Sequence, residues 1–284
     1  MSKVAIITDS TAYLPEEVVK ANHLTITPQV VIWGEEIYKD GVDITPDEFY
    51  RKLKHAKVMP TTSQVAIVDM KSAFEKLLEA GHDILGIFLS SKLSGTMDSA
   101  IQAREMLPKA ADKIVLVDSL AASMALGFQV LAASRAAEAG AGLEECRKIA
   151  EEARNHTGVY FVVDTLEFLH RGGRIGGAAA LLGSALNLKP VLKLIDGRIE
   201  TADKVRTKSK AMERMINLVV EDIGSRKPVH LATLHANAER DAKDVLEKAA
   251  QLLNPVEKII TSVSPAIGTH TGPGTVGLAY MAGL

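Results

Sequence analysis

Apolar runs of about six residues, each ending in a polar turn and followed by a helical period, set the rhythm of the first half of the chain. Residues 3–8 read as an apolar strand that ends at Asp9, Ser10 and Thr11. Pro15, Glu16 and Glu17 then start a helix with acids in its first turn. Residues 26–33 read as a second strand, Tyr38 to Gly41 as a turn, and Thr45-Pro46-Asp47-Glu48 as a helix start that carries on to about His55. The polar cluster Pro60-Thr61-Thr62-Ser63-Gln64 reads as a loop ahead of an amphipathic helix over 69–80. A buried strand over 84–89 leads into a hydroxyl-rich turn, Ser90 to Thr96, and a helix to about Leu107. Another strand over 113–117 ends at Asp118-Ser119, and helices follow to His156. Strands alternating with helices at this spacing predict an α/β unit with a mainly parallel sheet. Ligands in such sheets bind beyond the carboxyl ends of the strands. That places Asp9 to Thr11, Ser90 to Thr96 and Asp118-Ser119 on the ligand side, with the loop at Thr61 to Gln64 as a fourth contributor.

The pattern changes near Thr157. A strand over 159–163 runs toward Arg171-Gly172-Gly173-Arg174-Ile175-Gly176-Gly177, whose four glycines forbid an ordinary helix interior. Residues 190–195 and 198–201 flank Asp196-Gly197, the signal of a type I′ hairpin. Helices over 207–223 and 237–253 and strands over 229–234 and 258–263 complete a second, α+β unit. The expected division is 1–157 and 158–284. The tail around Gly268 to Gly277 reads as a closely packed loop with a short apolar end. Its Gly272, Gly274 and Gly277 match G-x-G-x-x-G literally, but the helix, strand and distant acid of a dinucleotide site have no room after them.

Composition narrows the possibilities. With 33 basic and 35 acidic residues in 284 there is no basic stripe, so nucleic acid is not an expected partner. Cys146 is the only cysteine and sits on a helical period, which fits packing in a reducing cytoplasm. The uncharged stretch over 119–134 is interrupted by Ser123, Gly127 and Gln129 and is shorter than a membrane span needs, so it reads as a buried helix. No signal peptide is expected, and the eight histidines show no metal-ligand spacing.

The candidate chemistry is unusual in having many hydroxyls and few acids or bases. A strand that ends where a helix begins leaves free backbone N–H groups, and with hydroxyls beside them the turn at Ser90 to Thr96 suits a carboxylate or phosphate. The plainer reading is that Ser94 or Thr96 simply caps the helix. Neither a nucleophile elbow nor a G-x-x-x-x-G-K-[ST] loop is present. An alternative class, a hydrolase or phosphotransferase with Ser94 as nucleophile and His270 as base, requires those two side chains in contact and a third group orienting the imidazole.

Taken in order, Asp9-Ser10-Thr11 with Leu14-Pro15, Thr62-Ser63-Gln64, Ser90-Ser91 with Leu93 to Thr96, Arg171 to Ile175, Asp196-Gly197 and His270 to Gly274 resemble the motif series of the DegV family. The resemblance spans almost the whole chain. It implies a cytoplasmic bacterial fatty-acid-binding protein with a Rossmann-like first domain, a distinct α/β second domain and a long-chain fatty acid buried between them. Carried over by motif, Thr62, Ser94 and His270 hold the carboxylate, while Ser63, Gly95 and Thr96 shape the turn. The resemblance also implies a separate ATP-binding kinase subunit that phosphorylates the bound acid to an acyl phosphate, and an acyltransferase that receives it. It implies no catalytic residue, metal or cofactor in this chain. Arg171 and Arg174 are candidates for partner or phosphoryl contacts, or for bonding backbone carbonyls, since arginine forks serve both uses. Two positions depart from the pattern: Tyr13 stands where many relatives carry an acid, and Val65 where many carry proline. Neither is expected to touch the ligand, and both bear on the loop that closes the site. Burying a sixteen-carbon chain is worth on the order of 10 kcal/mol gross, so a tunnel rather than the head group would supply most of the affinity.

Overall fold

The computed structural model describes residues 3–182 and 188–284. Four parallel strands, β1 (Val4–Asp9), β2 (Thr25–Thr27), β6 (Asp83–Phe88) and β7 (Ile114–Asp118), form one sheet in the order β2-β1-β6-β7. Between them run α1 (Glu16–Ala21), α2 (Pro46–Leu53), α3 (Ile67–Glu79) and α4 (Thr96–Glu105), followed by α5 (Ser123–Glu138) and α6 (Leu143–His156). The Thr45/Glu48 capping box forms as its sequence predicts, with Pro46 in the first turn.

The segment read as one strand over 26–33 is two. Pro28 cannot donate to a ladder, and the chain breaks there: β2 stays in the parallel sheet, while β3 (Val30–Trp33) joins a separate antiparallel sheet in the order β4-β3-β5. Its partners are β4 (Glu36–Lys39), which absorbs the start of the expected turn at Tyr38 to Gly41, and β5 (Thr61–Ser63). The expected loop at Thr61 to Gln64 is thus mostly strand, with Thr62 opposite Val31.

The second half builds a six-stranded sheet from β8 (Thr157–Val162), β9 (Lys189–Ile195), β10 (Arg198–Val205), β11 (Val229–His235), β12 (Glu257–Ser262) and β13 (Val276–Ala282), in the order β10-β9-β8-β13-β11-β12. All neighbours are antiparallel except β11 and β12, as expected of an α+β unit. Asp196 and Gly197 both take positive φ in the predicted hairpin. The helices of this half are α7 (Glu167–Arg171), α8 (Lys208–Ile223), α9 (Glu239–Leu253) and α10 (Pro265–Thr271). The glycine-rich run is split between the end of α7 and a 3₁₀ turn, Gly176–Leu181, so it is no ordinary helix.

Two corrections concern the tail. The short apolar end is β13, wholly buried in the interior of the sheet. The expected loop holding His270 is the last turn of α10, whose start at Ser264-Pro265 is a cap followed by proline at the first helical position. The loop proper begins at Gly272.

One helix joins the halves. α5 is buried along most of its length, as the uncharged stretch predicts, and packs on β1 and β6 on one side and on β8 and β13 on the other. A single apolar cluster therefore runs from Leu85 and Ile87 through Phe128 and Leu131 to Val159, Leu234 and Ala279. Cys146 is buried on α6, as read for packing.

Candidate functional site

The carboxyl ends of the parallel strands face a cavity of about 930 Å³, measured with its mouth. Its apolar walls come from both halves: Leu89, Leu93 and Ala122 from the first, Val159, Leu194 and Leu234 from the second. The polar part of the lining holds Thr62, Ser63, Gln64, Ser94, Gly95, Arg174 and His270.

Thr62 Oγ1 and His270 Nε2 lie 2.7 Å apart, joining β5 to α10 across 208 residues of sequence. His270 Nδ1 is buried without a protein partner and faces Gly172, where an added Cβ would sit 2.0 Å from it. Burial, with the Arg174 guanidinium adding to it, pushes the imidazole down to about 4. The ring is therefore neutral near pH 7, with one donor and one acceptor nitrogen. Arg174 bonds two carbonyls, Nε to Leu93 O at 3.1 Å and Nη1 to Gly172 O at 2.6 Å. It thus takes the backbone-bonding role read from sequence while also lining the cavity.

Ser94 does not cap α4; Gly95 occupies that position. Instead Ser94 Oγ accepts from Thr96 N at 3.3 Å and lies 3.0 Å from Thr96 Oγ1. Thr96 is locked in turn by the Gln29 amide, which donates to it at 2.8 Å and accepts from it at 3.1 Å. Gly95 packs closely on Gln64, whose side-chain amide a Cβ there would meet at 3.1 Å. The turn and β5 so close on each other.

These facts reject the Ser94/His270 nucleophile pair. His270 Nε2 is engaged by Thr62, Ser94 by Thr96, and no carboxylate orients the imidazole. The expected residues otherwise come together, with one exception: Arg171 is exposed, pairs with Glu167 at 3.2 Å and does not line the cavity. Tyr13, expected to stand clear of the ligand, does line it, whereas Val65 is buried in the core beside Phe74. No group of metal-binding side chains occurs among the described residues, and no helix among them is long and apolar enough to cross a membrane.

Sequence reasoning missed Gln29, Asp40 and the role of Gly172. Pro28 marked the first, because a proline inside a strand pattern signals a break. Asp40 left no such mark, since an acid beside glycine in a turn is ordinary. Asp40 is 2% exposed; its Oδ2 accepts from Ser10 Oγ at 2.6 Å and its Oδ1 from Ala266 N at 3.1 Å.

Comparison with known proteins agrees with the motif series. A model of the DegV family, described as uncharacterised proteins, matches residues 3–283. A DegV domain-containing protein of Clostridium perfringens is 38% identical over 279 residues, 98% of each chain. A DegV family protein from Thermus thermophilus, whose structure is described in terms of fatty acid binding, superposes with a TM-score of 0.92 at 35% identity over 99% of each chain. DegV of Bacillus subtilis, described as a fatty acid binding protein, gives 0.90 at 34% identity over 99% of this chain and 100% of its own. The fold, the order of the motifs and this degree of identity over nearly the full length agree: the chain belongs to the DegV family.

Proposed function

We propose that this chain binds a long-chain fatty acid in the cavity, its carboxylate held by Thr62, Ser94 and His270 and its chain lying along the apolar walls. One observation carries the reading: a cavity with apolar walls from both halves also holds a compact polar cluster built on the 2.7 Å contact of Thr62 with His270. The cluster suits a carboxylate better than a neutral head. One hydrogen is shared within the Thr62–His270 contact; with Nε2–H donating to Thr62, the Thr62 and Ser94 hydroxyls can turn their hydrogens toward the ligand, and Arg174 supplies the cation. Ser63 and Gly95 shape the rim, and Thr96 holds Ser94 in place. The division into domains 1–157 and 158–284, with the ligand between them, belongs to this reading.

The same reading makes the chain a carrier rather than an enzyme. A separate ATP-binding kinase subunit converts the bound acid to an acyl phosphate, and an acyltransferase takes it on, in the cytoplasm. Arg171, exposed and three residues before the cavity-lining Arg174, is the candidate for contact with the kinase or the phosphoryl group.

Purified protein is denatured, extracted with solvent and the extract identified by mass spectrometry; the delipidated chain is then titrated with palmitate. One long-chain acid per chain and stoichiometric uptake are expected. An empty extract together with no uptake overturns the proposal. Incubation with the kinase subunit and ATP, trapping acyl phosphate as the hydroxamate, tests the second step separately.

A further inference from the structure

Asp40 is a buried carboxylate outside the cavity lining, and among the described residues no cation lies against it. Such a group is costly to keep. Its surroundings supply only dipoles: Ser10 Oγ–H on Oδ2, the Ala266 N–H of α10 on Oδ1, and Ser264 beside them. Its backbone N–H donates to Gln29 O at 2.9 Å.

Each oxygen leads to a different arm of the polar cluster. From Oδ2, the Ser10 hydroxyl accepts the Gln29 N–H at 3.1 Å. The Gln29 amide grips Thr96, and Thr96 Oγ1 meets Ser94 Oγ at 3.0 Å. From Oδ1, the first turn of α10 is fixed, and the last turn of that helix presents His270 to Thr62. Thr62 itself lies on β5, across β3 from β4, the strand that ends just before Asp40.

We propose that Asp40 is the positioning residue of the carboxylate cluster, setting the spacing between the Ser94 arm and the His270 arm through its two oxygens. The proposal rests on the fatty-acid reading above. Its acceptor role requires the ionised form: a proton on Oδ1 would oppose the Ala266 N–H, and one on Oδ2 would reverse the direction of the Ser10 bond. Burial pushes this carboxyl up to about 6. The titratable groups facing it are Asp9 at the end of β1, Tyr13 in the turn that follows and Tyr50 of α2; α10 contributes only Ser264 and the Ala266 N–H. Ligand affinity therefore falls as pH drops through 6, a range in which His270 stays neutral.

The test uses delipidated full-length chain and two probes, palmitate and hexadecanesulfonate, whose sulfonate does not titrate between pH 5 and 7.5. Wild type is expected to bind both, and to bind the sulfonate several-fold more weakly at pH 5. Asp40→Asn keeps the shape without the charge, so its sulfonate affinity should be the same at both pH values. Asp40→Ala should lose about tenfold at pH 7.5, the worth of a hydrogen bond to a charged group. Ser10→Ala, which cuts only one arm, should lose less and keep the pH response. The His270 Cε1 resonance should follow a transition near pH 6 in wild type and not in Asp40→Asn. Unchanged affinity and pH profile in Asp40→Ala and Ser10→Ala, measured where both are folded, overturn the positioning role even if their melting temperatures fall. Wild type that takes up neither probe overturns the fatty-acid reading instead.

Discussion

The two arms of the polar cluster are held by different means. The Ser94 arm is a relay of hydrogen bonds through Thr96, the Gln29 side-chain amide and backbone N–H, and Ser10, in which every member has a second partner. The His270 arm is held by contact: the ring lies against Gly172, and Arg174 is pinned on two backbone carbonyls. When one member of a relay is removed, its neighbours keep their other partners. A packed ring must move when a methyl group is added beneath it.

Gly172→Ala is accordingly expected to have the largest effect. Its backbone suits alanine, with φ of −76°, and helix propensity favours the change, so any harm comes from the added Cβ alone. That atom would lie 2.0 Å from His270 Nδ1, and the ring must swing away from Thr62. Overpacking costs about 1–3 kcal/mol, and losing the imidazole as a partner of a charged head group costs about 1.5–3 kcal/mol more. Palmitate affinity should fall on the order of 100-fold, read by displacement of a fluorescent acid. Near-normal affinity would show that the ring is not held by packing.

Ser94→Ala probes the other arm and should lose about tenfold, one hydrogen bond to a charged group, because Gln29 still holds Thr96. Adding Thr62→Ala should weaken binding further than either change alone. Equal losses in Ser94→Ala and Gly172→Ala would erase the distinction between the arms.

The same contrast explains what the chain made legible. The Ser94 end of its arm lies in a strand–turn–helix unit whose apolar run and hydroxyls are contiguous, so periodicity located it, while Gln29 further along the relay did not show. The His270 arm depends on contacts across the fold. Nothing local says that Gly172 lies beneath a histidine 98 residues away in sequence, and a glycine-rich run reads the same whether it bends the chain or makes room. His270 is reached from sequence as a candidate base and through the motif series, but its surroundings read as a loop although Ser264-Pro265 marks a helix start. The three-stranded sheet that carries Thr62 stayed hidden because strands of three and four residues show too little alternation to register. The parallel sheet, the α5 helix and the Asp196-Gly197 hairpin were legible because each rests on a local pattern.

Acid separates the arms with a smaller effect. His270 is pushed down from 6.5 to about 4, so its contribution to stability is complete above 6.5 and is lost as pH falls toward 4. Asp40 is pushed up from 3.8 to about 6, so its contribution is complete below 3.8 and is lost as pH rises through 6. Over roughly pH 4 to 6 the two oppose, each on the order of 1–3 kcal/mol. Wild-type melting temperature should therefore change little from these groups. His270→Gln should gain stability relative to wild type on acidification, and Asp40→Asn should lose it; identical slopes in all three proteins would refute the opposed pair.

The smallest expected effect on binding comes from Arg171→Ala, three residues before Arg174. Arg174 is bonded to two carbonyls at the cavity, whereas Arg171 makes one exposed ion pair with Glu167, their side chains 53% and 63% exposed. Such pairs contribute about 0–1 kcal/mol, so stability and palmitate affinity should stay within twofold of wild type. Arg174→Ala, by contrast, releases the Leu93 and Gly172 carbonyls and removes the cation nearest His270, and should weaken binding severalfold. If Arg171 meets the kinase subunit, its loss appears only in the coupled assay, as slower hydroxamate formation at normal acyl loading. A fall in palmitate affinity in Arg171→Ala would move that residue into the packed arm. An unchanged coupled rate would leave it a surface ion pair, with Arg174 the one arginine of the motif that serves the site.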